Sequence, residues 1–180
     1  MSGHSKWSNI KRKKEVTDAK KSKIFSKVSR LITVAAKKGS DPDSNPSLRF
    51  AIEKAKDARM PKENIDKAIA KGSGQGGGVV FTEAVYEGFG PNGEAFYIIV
   101  LTDNKNRTVA EIRNIFNKFG GSLGGAGSTS YIFSPDPENP SYTIEVDDKS
   151  HATTLEHLLE ELDDHDDVQD VFVNFVLPEE

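Results

Sequence analysis

Gly72-Ser73-Gly74-Gln75-Gly76-Gly77-Gly78 divides the sequence into two parts that differ in charge and in hydrophobic period. A run this rich in glycine has little side chain to pack and reads as a flexible connector. Residues 1–72 carry 19 Lys and Arg against 8 Asp and Glu, a net of +11, whereas residues 73–180 carry 5 against 20, a net of −15. The overall charge of −4 conceals that split. Segregation on this scale predicts two domains with different tasks: residues 1–72, a linker at 73–78, and residues 79–177. As a phosphate cradle the glycine run fails, because no Lys-Ser or Lys-Thr follows it and no strand precedes it.

Upstream of the run the apolar residues follow a helical period. Ile24, Val28, Leu31 and Ala35 recur at spacings of four, three and four, and Phe25 and Ile32 widen the stripe, so a helix is expected from Thr17 or Asp18. Gly39 after Lys37 and Lys38 is a stop signal. Asn45 before Pro46 caps a second helix with Leu48, Ala51, Ile52 and Ala55 on its apolar face. Met60-Pro61 breaks that helix, and a third carries Ile65, Ala68 and Ile69 up to Gly72. The expectation is a three-helix domain.

Downstream the period becomes that of strands. Val79–Glu87, Glu94–Thr102, Ser128–Phe133, Tyr142–Val146 and Val168–Val176 read as strands. Two helices lie between them. One starts at a Thr108/Glu111 capping box and buries Val109, Ile112, Phe116 and Phe119; the other carries Leu155, Leu158, Leu159 and Leu162. From residue 94 the order is β-α-β-β-α-β, a ferredoxin-like split βαβ pattern with one extra strand in front. The fold class is therefore α+β.

Composition excludes several kinds of chemistry. There is no cysteine, hence no disulfide, thiolate metal site or cysteine nucleophile. No run approaches the ~18 apolar residues that span a bilayer. The N-terminus lacks the apolar core of a secretory signal, and its basic stretch runs on into a regular helix pattern, so a cytoplasmic location is expected. The histidines His4, His151, His157 and His165 include no pair on one helix face, and Asp163–Asp167 lacks the glycine and terminal glutamate of a calcium loop. Neither a catalytic constellation nor a metal, cofactor or small-molecule site can be picked out.

Cations do stand out. Lys6, Lys11, Arg12, Lys13, Lys14, Lys20, Lys21, Lys23, Lys27 and Arg30 crowd the first thirty residues against Glu15 and Asp18 alone. Such density calls for a polyanionic partner, and nucleic acid is the natural one. Trp7 among these cations either stacks on an unpaired base or anchors the arm against the helices. A second candidate is Asp103-Asn104-Lys105-Asn106-Arg107-Thr108, a strand-to-helix junction where Asn104, Lys105 and Arg107 could meet phosphate or simply cap the helix. Gly120–Gly127 reads equally as a structural turn or as a loop that lets a ligand approach the backbone.

Several blocks together carry a resemblance. Gly3-His-Ser-Lys-Trp7, Asp18-Ala-Lys, Lys23-Ile-Phe25, Tyr86-Glu-Gly-Phe-Gly-Pro91, Asp103–Glu111, Gly120–Gly124, Gly127-Ser128 and Asp166–Asp170 resemble the YebC/PmpR family, in its order. The resemblance implies a helical N-terminal domain with α/β domains behind it. It also implies a non-catalytic, nucleic-acid-binding role: members have been described as probable transcriptional regulators, as a mitochondrial translational activator, and in association with ribosomes stalled on proline-rich sequences. One departure stands out. The family's usual third domain, inserted within the second, is missing, because Phe133 runs through the turn Pro135–Pro140 directly into Tyr142.

The expectation from sequence is thus a non-enzymatic regulator whose basic half grips RNA, the ribosome above all. Duplex DNA is the alternative ligand, and docking to acidic proteins is a reading from a different class. The junction at Met60-Pro61 lacks the glycine turn of a helix-turn-helix, which favours RNA.

Overall fold

Three amphipathic segments of the basic half meet through small side chains. In a computed structural model that describes residues 18–75 and 77–178, they form α1 (Asp18–Ala36), α2 (Pro46–Asp57) and α3 (Lys62–Gly72). Ile32, Ala35 and Ala36 of α1 bury against Leu48, Ala51 and Ala55 of α2 and Ile65 and Ala68 of α3. Alanine faces let helix axes approach closely. At the end of α3 the approach is closer still: a Cβ on Gly72 would lie 2.3 Å from the Thr33 carbonyl oxygen.

Two turns fix this bundle. Asn45, 6% exposed, accepts the Leu48 N–H at 3.1 Å through Oδ1 as the N-cap of α2. Its Nδ2 donates at 2.8 Å to the carbonyls of Ala35 and Gly39, so one amide caps the start of α2 and the end of α1. After α2, Arg59 takes a left-handed conformation at φ 58°, and the Met60 N–H bonds back to the Ala55 carbonyl at 2.9 Å. Met60 is thereby buried in the bundle core and Pro61 starts the chain into α3.

The compact units divide between Thr82 and Glu83, so residues 79–82, after the glycine run, pack with the helices. The acidic unit begins in β1 (Thr82–Phe89), which turns through Gly90–Gly93 into β2 (Ala95–Thr102). There follow α4 (Lys105–Lys118), β3 (Ser122–Leu123), a single helical turn α5 (Ser130–Phe133), β4 (Ile144–Glu145), α6 (Lys149–Asp164), β5 (Val168–Val173) and β6 (Phe175–Val176). The main sheet is ordered β3-β1-β2-β5, with β1/β3 and β2/β5 antiparallel and a register shift between Ile99 and Val100. β4 and β6 form a separate parallel pair. One sheet face buries Phe96, Ile98 and Val100 against Ile112 and Phe116 of α4 and Leu155, Leu158 and Leu162 of α6. The Phe96 and Phe116 rings meet edge to face at 5.3 Å. Tyr97 and Phe172 on the other face pack with Ile132 and Phe133 of α5.

The α+β class read from the sequence is the one observed, with helices first and an antiparallel sheet with helices after them; the departures are local. Ser128–Phe133, expected as a strand, is instead a bend at 128–129 followed by α5 itself, so the second strand of the βαββαβ order is replaced by helix. Ile132 and Phe133 are both buried within the single turn of α5. The expected strand at Val168–Val176 is broken at Asn174. There the Oδ1 accepts the Ala95 N–H at 2.8 Å, while the main-chain carbonyl accepts the Ile144 N–H at 2.7 Å and opens the β4/β6 pair. The cap of α4 is Asn104 and not Thr108, whose side chain is buried elsewhere. Among the described residues no helix is long and apolar enough to cross a membrane.

Asn45→Asp separates the two jobs of that amide. Aspartate caps helices as well as asparagine does, so a capping role alone predicts no loss. Removing the donors to Ala35 and Gly39 and burying a charge should cost about 2–3 kcal/mol in urea unfolding at neutral pH.

Candidate nucleic-acid interface

Helical geometry lines up Lys20, Lys23, Lys27 and Arg30 at spacings of three, four and three along one side of α1. Lys20 and Lys21 are exposed, and Lys23, Lys27 and Arg30 are half-buried. Lys21 Nζ lies 3.8 Å from Asp18 Oδ1 in an exposed pair, which does little to neutralise it. At the far end of the helix the cations converge on one residue that the sequence reading did not single out. The Arg30 guanidinium sits 4.9 Å from the centre of the Phe81 ring, Lys71 Nζ sits 5.8 Å from it, and Lys37 Nζ donates to the Phe81 carbonyl at 3.2 Å. A lone phenylalanine just after the glycine run was the available signal. Lys6, Trp7, Lys11, Arg12, Lys13 and Lys14 lie outside the described residues.

The junction at the start of α4 is put to internal use. Asn104 Oδ1 accepts the Arg107 N–H at 3.0 Å, and the Asn104 N–H donates to Thr102 Oγ1 at 2.9 Å. Arg107 Nη2 donates at 2.9 Å to both Asp103 and the buried Asp167. Asp167 also accepts the Thr108 hydroxyl at 2.7 Å. These hydrogen bonds, that to Asp167 foremost, raise the Arg107 guanidinium further above its ordinary value. Burial, reinforced by the Asp167 charge, likewise pushes the Tyr86 phenol up, and its hydroxyl donates to the Lys105 carbonyl at 3.3 Å. A phosphate seeking Arg107 would have to displace two carboxylates. Lys105 is exposed.

Around this lock, His165 Nδ1 accepts the Asp167 N–H at 3.1 Å, which leaves Nε2 to donate to Glu111 at 2.8 Å. Ligand atoms of Glu111, His165 and Asp167 lie within 4.8 Å of one another, but Arg107 supplies the positive charge a metal ion would bring there. A cavity of about 320 Å³ is lined by Glu94, Glu145, Asp147, Asp148 and His151, among others. Its acidic walls repel phosphate.

The Gly120–Gly127 loop is shaped by a second buried carboxylate. Glu87, 5% exposed, accepts the N–H groups of Gly127, Thr129 and Ser130 and the Thr129 hydroxyl. Burial alone would raise its carboxyl, but these hydrogen bonds outweigh burial and hold it below the usual carboxylate range. The close approaches are made by glycines: a Cβ on Gly88 would lie 2.7 Å from the Phe116 ring, and one on Gly121 would lie 2.5 Å from the Phe89 carbonyl. The loop's anion socket is filled by its own chain.

Fold and site together define a protein of two parts, a cation-faced helical unit and an acidic α/β unit whose buried Glu87 and Asp167 are paired within it. Residues 5–75 match the TACO1/YebC protein N-terminal domain, and residues 81–136 match the TACO1/YebC second and third domain. A "Probable transcriptional regulatory protein" of Halothermothrix orenii is 38% identical over 245 positions, covering 100% of this chain and 97% of the relative. One of Dictyoglomus thermophilum is 41% identical over 244 positions, covering 100% and 98%. A conserved hypothetical protein of Aquifex aeolicus, known as a crystal structure, is 33% identical with a TM-score of 0.83, covering 93% of this chain and 95% of that one. The chain belongs to the TACO1/YebC family. Its 180 residues span 245 aligned positions, so about 65 positions of the relative have no counterpart here.

Glu87→Gln keeps the shape and removes the charge from three backbone donors, and should destabilise the protein by about 1.5–3 kcal/mol at pH 7. Because the folded carboxyl lies below its unfolded value, Glu87 adds stability that is complete above the unfolded pKa and is lost as pH falls through the folded one. The gap between wild type and variant in thermal unfolding should therefore narrow on acidification below pH ~4. A constant gap would contradict the charge-based account.

Proposed function

We propose that this chain is a non-enzymatic regulator of gene expression that acts by binding RNA, the ribosome above all, and that it works in the cytoplasm on stalled translation. The observation that carries the reading is the charge split, +11 in residues 1–72 against −15 in residues 73–180. Counterion release from phosphates makes such a surface bind polyanions strongly and with steep salt dependence. The internal pairing of Arg107 supports assigning the grip to the helical half. Lys6, Lys11, Arg12, Lys13, Lys14, Lys20, Lys21, Lys23, Lys27 and Arg30 are the phosphate contacts, with Trp7 beside them and Asn104 and Lys105 as a secondary edge. Duplex DNA is the second reading, favoured by the relatives' name, "Probable transcriptional regulatory protein".

Co-sedimentation with ribosomes tests the proposal. The chain should pellet with them at low salt and be released as salt rises, and ribosomes or structured RNA should outcompete a random DNA duplex. Alanine at Lys11, Arg12, Lys13 and Lys14 together should weaken binding to every sequence alike and make the slope of log affinity against log salt shallower by about 3. Preference for one palindromic duplex would instead mark a DNA-binding regulator. Salt-insensitive capture of a protein would mark an adaptor.

A further inference from the structure

The glycine run does not simply lead away from the helices: the segment just beyond it folds back onto them, and three cations hold it there. Arg30 comes from the middle of α1, Lys37 from just past its end and Lys71 from the last turn of α3. All three converge on Phe81, two on its ring and one on its carbonyl. At 4.9 and 5.8 Å from one ring centre, the Arg30 and Lys71 charges are separated by about a Debye length at most, ~10 Å in 0.1 M salt, so they repel one another. The ring face and a carbonyl offset that repulsion in part. Lys37 and Lys71 are exposed, and their positions are set before any ligand arrives. Immediately before Phe81, the side chains of Val79 and Val80 are 48% and 62% exposed. Apolar surface beside clustered cations suits a ligand with both a phosphate chain and an uncovered base face.

We infer that Arg30, Lys37 and Lys71, gathered on Phe81, form a preorganised phosphodiester site for single-stranded RNA, with Val79 and Val80 contacting a base. The inference deepens the RNA-binding reading and rests on it. It adds Lys37, Lys71, Val79, Val80 and Phe81 to the contacts and extends the cationic track past the end of α1. A helix of 19 residues is ~28 Å long, so the track is long enough for one strand to contact both Lys20 and the Phe81 cluster. The single strand is preferred because duplexes keep their base faces stacked and out of reach of the two valines.

The test uses the full chain and a labelled mixed-sequence single-stranded RNA oligonucleotide, with the same sequence as duplex DNA for comparison. Affinity is measured across a salt series. Lys37→Gln with Lys71→Gln removes two exposed charges and should make the log–log salt slope on the single strand shallower by about 1.4. Lys54→Gln with Lys56→Gln, an equal charge change on α2, should leave the slope near that of wild type. Val79→Ser with Val80→Ser should weaken single-strand binding severalfold at an unchanged slope and leave duplex binding as it was. Circular dichroism and thermal midpoints matching wild type show that each variant is folded. The inference is overturned if the Lys37/Lys71 variant keeps the wild-type slope, or if the α2 control loses as much. Equal weakening of duplex and single strand by the valine pair would overturn the base contact. Failure of the wild-type chain to bind RNA at any salt would sink the RNA-binding reading itself, and the site with it.

Discussion

The helical half must hold together against its own charge. The fourteen Lys and Arg of residues 18–72 repel one another in the folded state more than in an extended chain, and the seven acids there are too few to cancel them. What resists is a core of short side chains, in which alanines on all three helices and Gly72 bring the backbones close while the lysine stems reach outward. Asn45 adds a joint that carries no charge, satisfying two carbonyls at the end of α1 and one N–H at the start of α2.

The acidic half meets the opposite problem by other means. Its three deeply buried carboxylates among the described residues, Glu87, Glu94 and Asp167, are each met by donors from the same unit. Glu87 draws on backbone N–H groups and Asp167 on Arg107 and Thr108, so each ties a loop to the sheet. The consequence reaches the ligand question. This half has only five Lys and Arg; Arg107 is paired with Asp103 and Asp167, and Lys118 with Glu161. Few charges are left there to attract phosphate. The dense positive charge therefore lies on the helical side of the glycine run, and the acidic unit contributes little to it.

The helical stripes, the Asn45 cap and the Met60-Pro61 break were legible because each depends on residues near in sequence. The α/β unit was legible in class but not in detail, for a physical reason. Whether Ser128–Phe133 is strand or helix is decided by Glu87, some forty residues earlier, and whether the last strand continues is decided by where Asn174 finds partners on Ala95 and Ile144. Thr108 looked like a cap because its spacing to Glu111 is right; Asn104 was better placed, and the Thr108 hydroxyl was claimed by Asp167. The Phe81 cluster was invisible for the same reason, as it joins residues 30, 37, 71 and 81 across a bundle. Local chemistry can be read along the chain, but the partners of buried polar groups and of converging cations are set by the fold.

The same logic explains how this chain accommodates the loss of about 65 aligned positions. The match to the family's second and third domain ends at residue 136, inside the turn between Phe133 and Tyr142. The base of that turn is already closed: the Ser141 N–H donates to the Ile132 carbonyl at 2.7 Å. Ile132 and Phe133 on one side and Ile144 and Val146 on the other are packed into the unit's apolar clusters, independently of whatever the loop carries. A connection whose two ends are held together by the surrounding fold can bear a whole domain or a short proline turn at little cost in stability, because loop-closure entropy rises only slowly with length. The acidic unit keeps both of its cores without the extra positions, and Tyr131 and Tyr142 remain exposed at the junction, 64% and 48% respectively.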